Sequence, residues 1–207
     1  MTAAQADLAG VRSEFTRSLT IDAPRVEDGA ALWRIARDSE VLDLNSSYSY
    51  LLWCRDFAAT SVVARDTTAG ASRADRTDPA AEGAGPRGAD GSTGPGGTPV
   101  GFVTGYVRPE RPEVLVVWQV AVDRSHRGMG LAGTLLDALT RRVTEERGIV
   151  SIETTVTPDN TASDRMFHAF SERHGATLER EVLFDGDLFP DGGHQPEVLY
   201  RIGPLTT

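Results

Sequence analysis

At 207 residues, 40% hydrophobic and 25% charged, the chain can bury a sizeable core within one domain. A net charge of -9 argues against nucleic acid or an anionic membrane as the main partner, and no apolar run reaches the roughly 18 residues that a membrane span needs. One cysteine, Cys54, rules out an internal disulfide and suits a reducing cytoplasm, and the N-terminal stretch lacks the apolar core of a secretory signal.

Residues 1–14 read as a loose tail ahead of a domain over 15–205. Phe15 to Ile21 is a first expected strand. A helix follows from Asp28 or Gly29 to about Arg37, with Leu32, Ile35 and Ala36 on its apolar side. Asn45 or Ser46 can cap a second helix running to about Ala58. Ser61 to Ala64 is a short strand. Residues 67–98 hold no aromatic or large aliphatic side chain. Such a segment cannot bury enough apolar surface to offset the entropy of ordering it, so a disordered insertion is expected there. It would join two antiparallel strands, the second over Pro99 to Val107.

The run Val114 to Val122 contains one polar side chain, Gln119, and predicts a strand buried on both faces. Arg127-Gly128-Met129-Gly130-Leu131-Ala132 follows. Apolar residues then recur at Leu131, Leu135, Leu136, Leu139 and Val143, the spacing of a helix face. Strand, glycine turn and helix in that order place free backbone N–H groups and the positive end of a helix at one point, with Arg127 at its mouth, which is a cradle for pyrophosphate. Ile149 to Val156 is a fifth strand, parallel to the fourth because a helix joins them. Pro158-Asp159-Asn160 is a turn and cap. Ala162, Met166, Phe167 and Phe170 mark a helix closed by His174-Gly175. Thr177 to Phe184, a polar loop, and Pro196 to Ile202 complete the chain. The fold class is α/β (α+β): a mixed sheet with helices on both faces, organised around one parallel pair.

Three readings of the glycine turn compete. Gly128-x-Gly130-x-x-Gly133 fits the spacing of a dinucleotide fingerprint, although the next strand carries Glu153 with Thr154 and Thr155 and the unit stands in mid-chain, after two or three earlier strands. It also fits an ordinary turn into a helix. The third pattern, Arg127-x-x-Gly130-x-Ala132, resembles the acyl-coenzyme A motif of the GNAT acetyltransferase superfamily. That resemblance extends over nearly the whole element order. It implies acetyl-coenzyme A as co-substrate, with Val120 and Val122 pairing the pantetheine arm through main-chain atoms. It places residues 127–132 and Asn160 at the cofactor. The frame Asn160-x-x-Ser163-x-x-Met166-Phe167 departs from the superfamily in one respect: phenylalanine stands where a thiolate-protonating tyrosine is usual.

Three segments together carry a narrower resemblance. They are Asp43-Leu44-Asn45-Ser46-Ser47-Tyr48, Val117-Trp118-Gln119-Val120-Ala121-Val122, and Phe189-Pro190-Asp191-Gly192-Gly193-His194-Gln195-Pro196-Glu197. This combination is similar to the diaminobutyrate acetyltransferases of ectoine biosynthesis. The resemblance implies a substrate pocket of Asp43, Tyr48, Trp118, His194 and Glu197, with Asp43, Tyr48 and Glu197 as candidates for the chemistry. It implies acetylation of the γ-amine of L-2,4-diaminobutyrate by a homodimer without metal. Each residue also has a plainer reading: Asp43 as a helix cap, Tyr48 and Trp118 as core, His194 as an organiser of its loop, Glu197 as an edge-strand charge. The competing functions are a GNAT enzyme for another small amine, and an acyl-coenzyme A-binding regulatory domain without turnover.

Overall fold

The structure, a computed structural model, describes residues 18–40, 42–68, 96–190 and 192–205. The expected tail and most of the expected insertion lie outside them. Seven strands form one sheet: β1 (Leu19–Asp22), β2 (Val62–Asp66), β3 (Thr98–Arg108), β4 (Arg111–Val122), β5 (Ser151–Val156), β6 (Thr177–Phe184) and β7 (Glu197–Gly203). The spatial order is β1-β2-β3-β4-β5-β7-β6. Within it β4 and β5 run parallel, as a helical connection requires, and the other pairs are antiparallel. Among the described residues the α-helices are α1 (Gly29–Arg37), α2 (Ser47–Asp56), α3 (Leu131–Arg147) and α4 (Thr161–Arg173). None of the described helices is long and apolar enough to cross a membrane.

The pleat divides the core in two. Leu135, Leu136, Leu139 and Val143 of α3, with Phe167 and Phe170 of α4, pack on Val62, Val103, Leu115 and Ile152. On the opposite face, Leu32, Ile35 and Ala36 of α1, with Tyr50 and Cys54 of α2, pack on Val63, Phe102 and Ala121. Adjacent strand residues such as Val62 and Val63 therefore serve different cores, as a period of two dictates. Helices α1 and α2 approach closely at Gly29, where an added Cβ would meet Leu51 at 2.8 Å. Burial pushes the Cys54 thiol up to about 12, so it stays a neutral core group.

Several local expectations change. Ser46, not Asp43, caps α2, its side chain accepting from the Ser49 amide. Ala162 is exposed, in the first turn of α4 where the helix has not yet reached the core. The central strand is not buried on both faces throughout. Its register against β3 slips between Val117 and Gln119, so Trp118 is an extra residue, and it is 50% exposed. Such a bulge disrupts the ladder and re-aims side chains. Trp118 and Gln119 consequently share the α1/α2 side of the sheet, while Val120 and Val122 pack toward α3 and α4.

Candidate active site

Strands β4 and β5 pair only through Val114–Val116 against Ser151–Glu153. Beyond that point they separate, and Thr154 to Val156 bond to β7 alone. The gap opens into a cavity of about 1210 Å³ lined by both strands, the segment after α1, and the loop before β7.

One side of this cavity is built from Gln119. Its Nε2 donates to the Asp43 carbonyl oxygen at 2.9 Å, and its Oε1 accepts from the Tyr50 hydroxyl at 3.0 Å. Burial raises the Tyr50 hydroxyl above its usual range, which keeps it a neutral donor. A buried amide with both ends satisfied thus fixes the backbone at Asp43 to the central strand. Asp43's own carboxylate is 87% exposed at the rim.

The other side is Glu197, the first residue of β7, whose side chain is only 15% exposed. His194 stands between the two acids. Its Nε2 lies 3.3 Å from Asp43 Oδ2 and 4.0 Å from Glu197 Oε1, and its Nδ1 donates to the Gln195 carbonyl at 2.6 Å. Phe189 stacks on the ring at 3.7 Å. Both ring nitrogens face acceptors, so the imidazolium is favoured. The carbonyl of Gln195, then the Asp43 carboxylate, raise its pKa. The histidine therefore spans the opening between the β4 and β7 sides. Asp43, His194 and Glu197 are also the described group whose donor atoms, all within 4.8 Å of one another, have metal-ligand character. Here His194 Nε2 faces both carboxylates, an arrangement that favours the protonated ring.

Trp118 lines the cavity and approaches Trp53 at 5.8 Å, with Tyr106 at 6.4 Å from Trp53 behind it. Tyr48, by contrast, is 64% exposed on α2 and does not line the cavity. The structure thus gathers Asp43, Trp118, His194 and Glu197 and leaves Tyr48 outside. It adds Gln119, Glu153, Arg108 and Arg201 to the lining. Of these only Gln119 had a signal, as the lone polar residue in an apolar run.

The cradle lies apart from this cavity, at the start of α3. Gly128 and Gly130 both have φ +77, a conformation that excludes most side chains. The first helical bond comes from the Thr134 amide to the Gly130 carbonyl, so the amides of Leu131, Ala132 and Gly133 precede any intrahelical acceptor. Met129 is exposed beside them. Arg127 does not project freely at the mouth: its Nε donates to the Val122 carbonyl at 3.0 Å and its Nη2 to Asp38's at 3.2 Å. It ties the end of β4 to the turn. Asn160 both caps α4, accepting from the Ser163 amide, and lines the cavity. Phe167 is buried against Tyr200, so no hydroxyl from that position reaches the gap.

The acetyltransferase (GNAT) family model matches residues 91–171. The L-2,4-diaminobutyric acid acetyltransferase of Streptomyces anulatus is 62% identical over 207 residues, covering all of both chains. This chain belongs to the L-2,4-diaminobutyric acid acetyltransferase family. The family's member from Streptomyces coelicolor is 60% identical over all of this chain and 98% of its own. Among solved structures, diaminobutyrate acetyltransferase EctA from Paenibacillus lautus, in complex with L-2,4-diaminobutyric acid and coenzyme A, matches with a TM-score of 0.73. It is 33% identical over 91% of this chain and 96% of its own. The mixed seven-stranded sheet with helices on both faces is the GNAT fold of the family.

Proposed function

We propose that the chain transfers an acetyl group from acetyl-coenzyme A to the γ-amine of L-2,4-diaminobutyrate, giving N-γ-acetyl-L-2,4-diaminobutyrate, a step toward ectoine. The observation that carries this is the pair of carboxylates, Asp43 and Glu197, brought within 4.8 Å of one another around His194 at the β4/β5 gap. A substrate with two ammonium groups needs two anionic partners. One must hold the spectator amine as its unreactive ammonium, and one must take the proton from the other, because an alkyl amine with a pKa of about 10 is protonated at neutral pH.

Glu197, enclosed in the cavity, is the proton acceptor. Asp43, exposed at the rim, holds the α-ammonium, and Trp118 offers its ring face to the same cation. The glycine turn with its forward amides suits the phosphates of coenzyme A, which supplies the thioester. The edge of β4 at Val120 and Val122, unpaired to β5, suits an extended arm, with the Val122 carbonyl already accepting from Arg127. The reading also includes a homodimer, in keeping with the exposed Val182 and Phe184 on edge strand β6. It places the enzyme in the cytoplasm, in keeping with the free, buried Cys54. It needs no metal at Asp43, His194 and Glu197, and no nucleic acid or membrane.

Turnover of diaminobutyrate with acetyl-coenzyme A, followed by thiol release, with the acetyl position read by NMR, tests the proposal. Gamma-acetylated product is expected. Product acetylated only at the α-amine, or thiol release with polyamines but not diaminobutyrate, would overturn it.

A further inference from the structure

The floor of the cavity carries a second charged cluster with no part in the proton transfer just described. Glu153 on β5 is buried at 4% exposure. Arg108 Nη1 donates to its Oε2 at 2.7 Å, Arg111 Nη2 donates to its Oε1, and Arg201 Nε lies 3.4 Å from Oε1. Arg201 Nη2 also donates to Glu181 at 2.6 Å. Burial alone would raise the Glu153 carboxyl, but hydrogen bonds from Arg111 and Arg108 outweigh it and hold the group ionised.

Three guanidiniums therefore meet two carboxylates, leaving an excess positive charge. Of the three, Arg108 and Arg201 line the cavity, and each side chain is 42% exposed. A guanidinium has five N–H donors. Arg108 spends one nitrogen on Glu153, and Arg201 spends two on its acids. Donors remain on both.

From these observations we infer that Arg108 and Arg201, positioned by Glu153, bind the α-carboxylate of the amino-acid substrate and so select amino acids over simple diamines. The inference rests on the diaminobutyrate reading above. Apart from His194, already between two acids, Arg108 and Arg201 are the cationic side chains among the described lining residues. A substrate carboxylate in an otherwise acidic cavity has nowhere else to find a counter-charge. The spacing also fits. Gln119 holds Asp43, and Val116, three residues earlier on β4, pairs with Glu153. Because Trp118 is the extra residue of a bulge, that separation matches two residues of β3, Thr104 to Tyr106, or roughly 7 Å along the strand. An ammonium and a carboxylate on one carbon, each in a charge-assisted bond of about 2.8 Å, cover a comparable span. Glu153 makes no contact with substrate in this arrangement; it is a positioning residue.

The test compares L-2,4-diaminobutyrate with 1,3-diaminopropane, which keeps both amines and their spacing but lacks the carboxylate. The wild type should prefer diaminobutyrate in kcat/KM. Arg108→Met and Arg201→Met keep the apolar stems. Each should lower kcat/KM for diaminobutyrate roughly 10- to 100-fold, through KM, while the diaminopropane value moves less than about threefold. Glu153→Gln should lower the preference in the same direction by loosening both arginines. A merely structural role would depress both substrates together, so an unchanged preference in the two arginine variants overturns the anchor. A rise confined to the acetyl-coenzyme A KM would overturn it too. Failure of the wild type to acetylate diaminobutyrate at all is a different result: it would remove the substrate reading, and the anchor with it.

Discussion

Replacing Gln119 separates holding the fold from holding the substrate. Gln119→Leu keeps the volume and deletes two hydrogen bonds, to the Tyr50 hydroxyl and the Asp43 carbonyl. Each is worth about 1 kcal/mol net, and the buried Tyr50 hydroxyl, left with Asn45 beside it but without its acceptor, costs about 1–3 kcal/mol. Tyr50 is 1% exposed, so water cannot replace the lost acceptor, whereas Asp43 lies at the surface and its carbonyl can be hydrated. The expected loss is about 2–4 kcal/mol, or about 5–15 °C in Tm for a chain of this size. The KM for diaminobutyrate should rise about three- to tenfold as the Asp43 segment loosens. Adding Tyr50→Phe removes the stranded hydroxyl and should return about 1–2 kcal/mol, because no buried polar group is then unpaired. It should leave KM high, since Asp43 still lacks its tether. Urea unfolding and thiol-release kinetics on the two single variants and the double variant complete the cycle. If KM recovers together with stability in the double variant, the Gln119–Asp43 bond does not position the substrate acid and the reasoning fails.

Glu197→Gln should lower kcat by about 10²–10⁴-fold and move the pH optimum upward, since solution must then deprotonate the amine; wild-type kcat would show that Glu197 is not the acceptor. Gly130→Val places a β-branched residue at φ +77 in the cradle, and should abolish acetyl-coenzyme A binding in a protein that still folds. Isothermal titration showing wild-type affinity would refute the cradle. His194 has a folded pKa raised above its unfolded value of about 6.5. Its stabilising charge is therefore fully present below that value and is lost as pH rises through the higher folded one. The gap in Tm between wild type and His194→Asn should be widest near pH 6 and close toward pH 9, and a gap that widens with pH would contradict the imidazolium bridge.

The helices and strands were legible because their apolar residues repeat at the right period: Leu131, Leu135, Leu136, Leu139 and Val143 are all buried on α3 as their spacing requires. The cradle was legible because positive φ demands glycine. Asp43, Trp118, His194 and Glu197 came from resemblance, and the structure brings them to one cavity. What could not be read were partnerships across the sheet. Nothing local says that Glu153 will meet Arg108, Arg111 and Arg201, because those contacts depend on the β4/β5 and β5/β7 registers. Nor does the run Val114 to Val122 announce its bulge. Trp118 reads as one more apolar residue in a buried strand. Tyr48, the last residue of a recognised segment, is turned outward by the phase of α2, which points Tyr50 and Cys54 inward. Arg127 fits the motif, and its role in joining β4 to the turn through the Val122 and Asp38 carbonyls is not visible in the motif.

The bulge at Trp118 keeps the reading frame of β4. A strand alternates sides, so an extra residue in a regular strand would reverse the side faced by every later residue. Were the strand to run regularly through Trp118, Gln119 would turn toward the apolar packing of α3 and α4, where an amide finds no partner, and Val120 and Val122 would turn outward from the core they now help fill. Because two residues here oppose one on β3, the frame is restored at once. The tether of the substrate acid and the seating of α3 thus depend on the same local kink. Deleting residue 118 would leave Val117 and Gln119 on the sides they now occupy and remove only an aromatic wall. Straightening the kink with the residue kept is the change that would misassign both faces of the sheet at once.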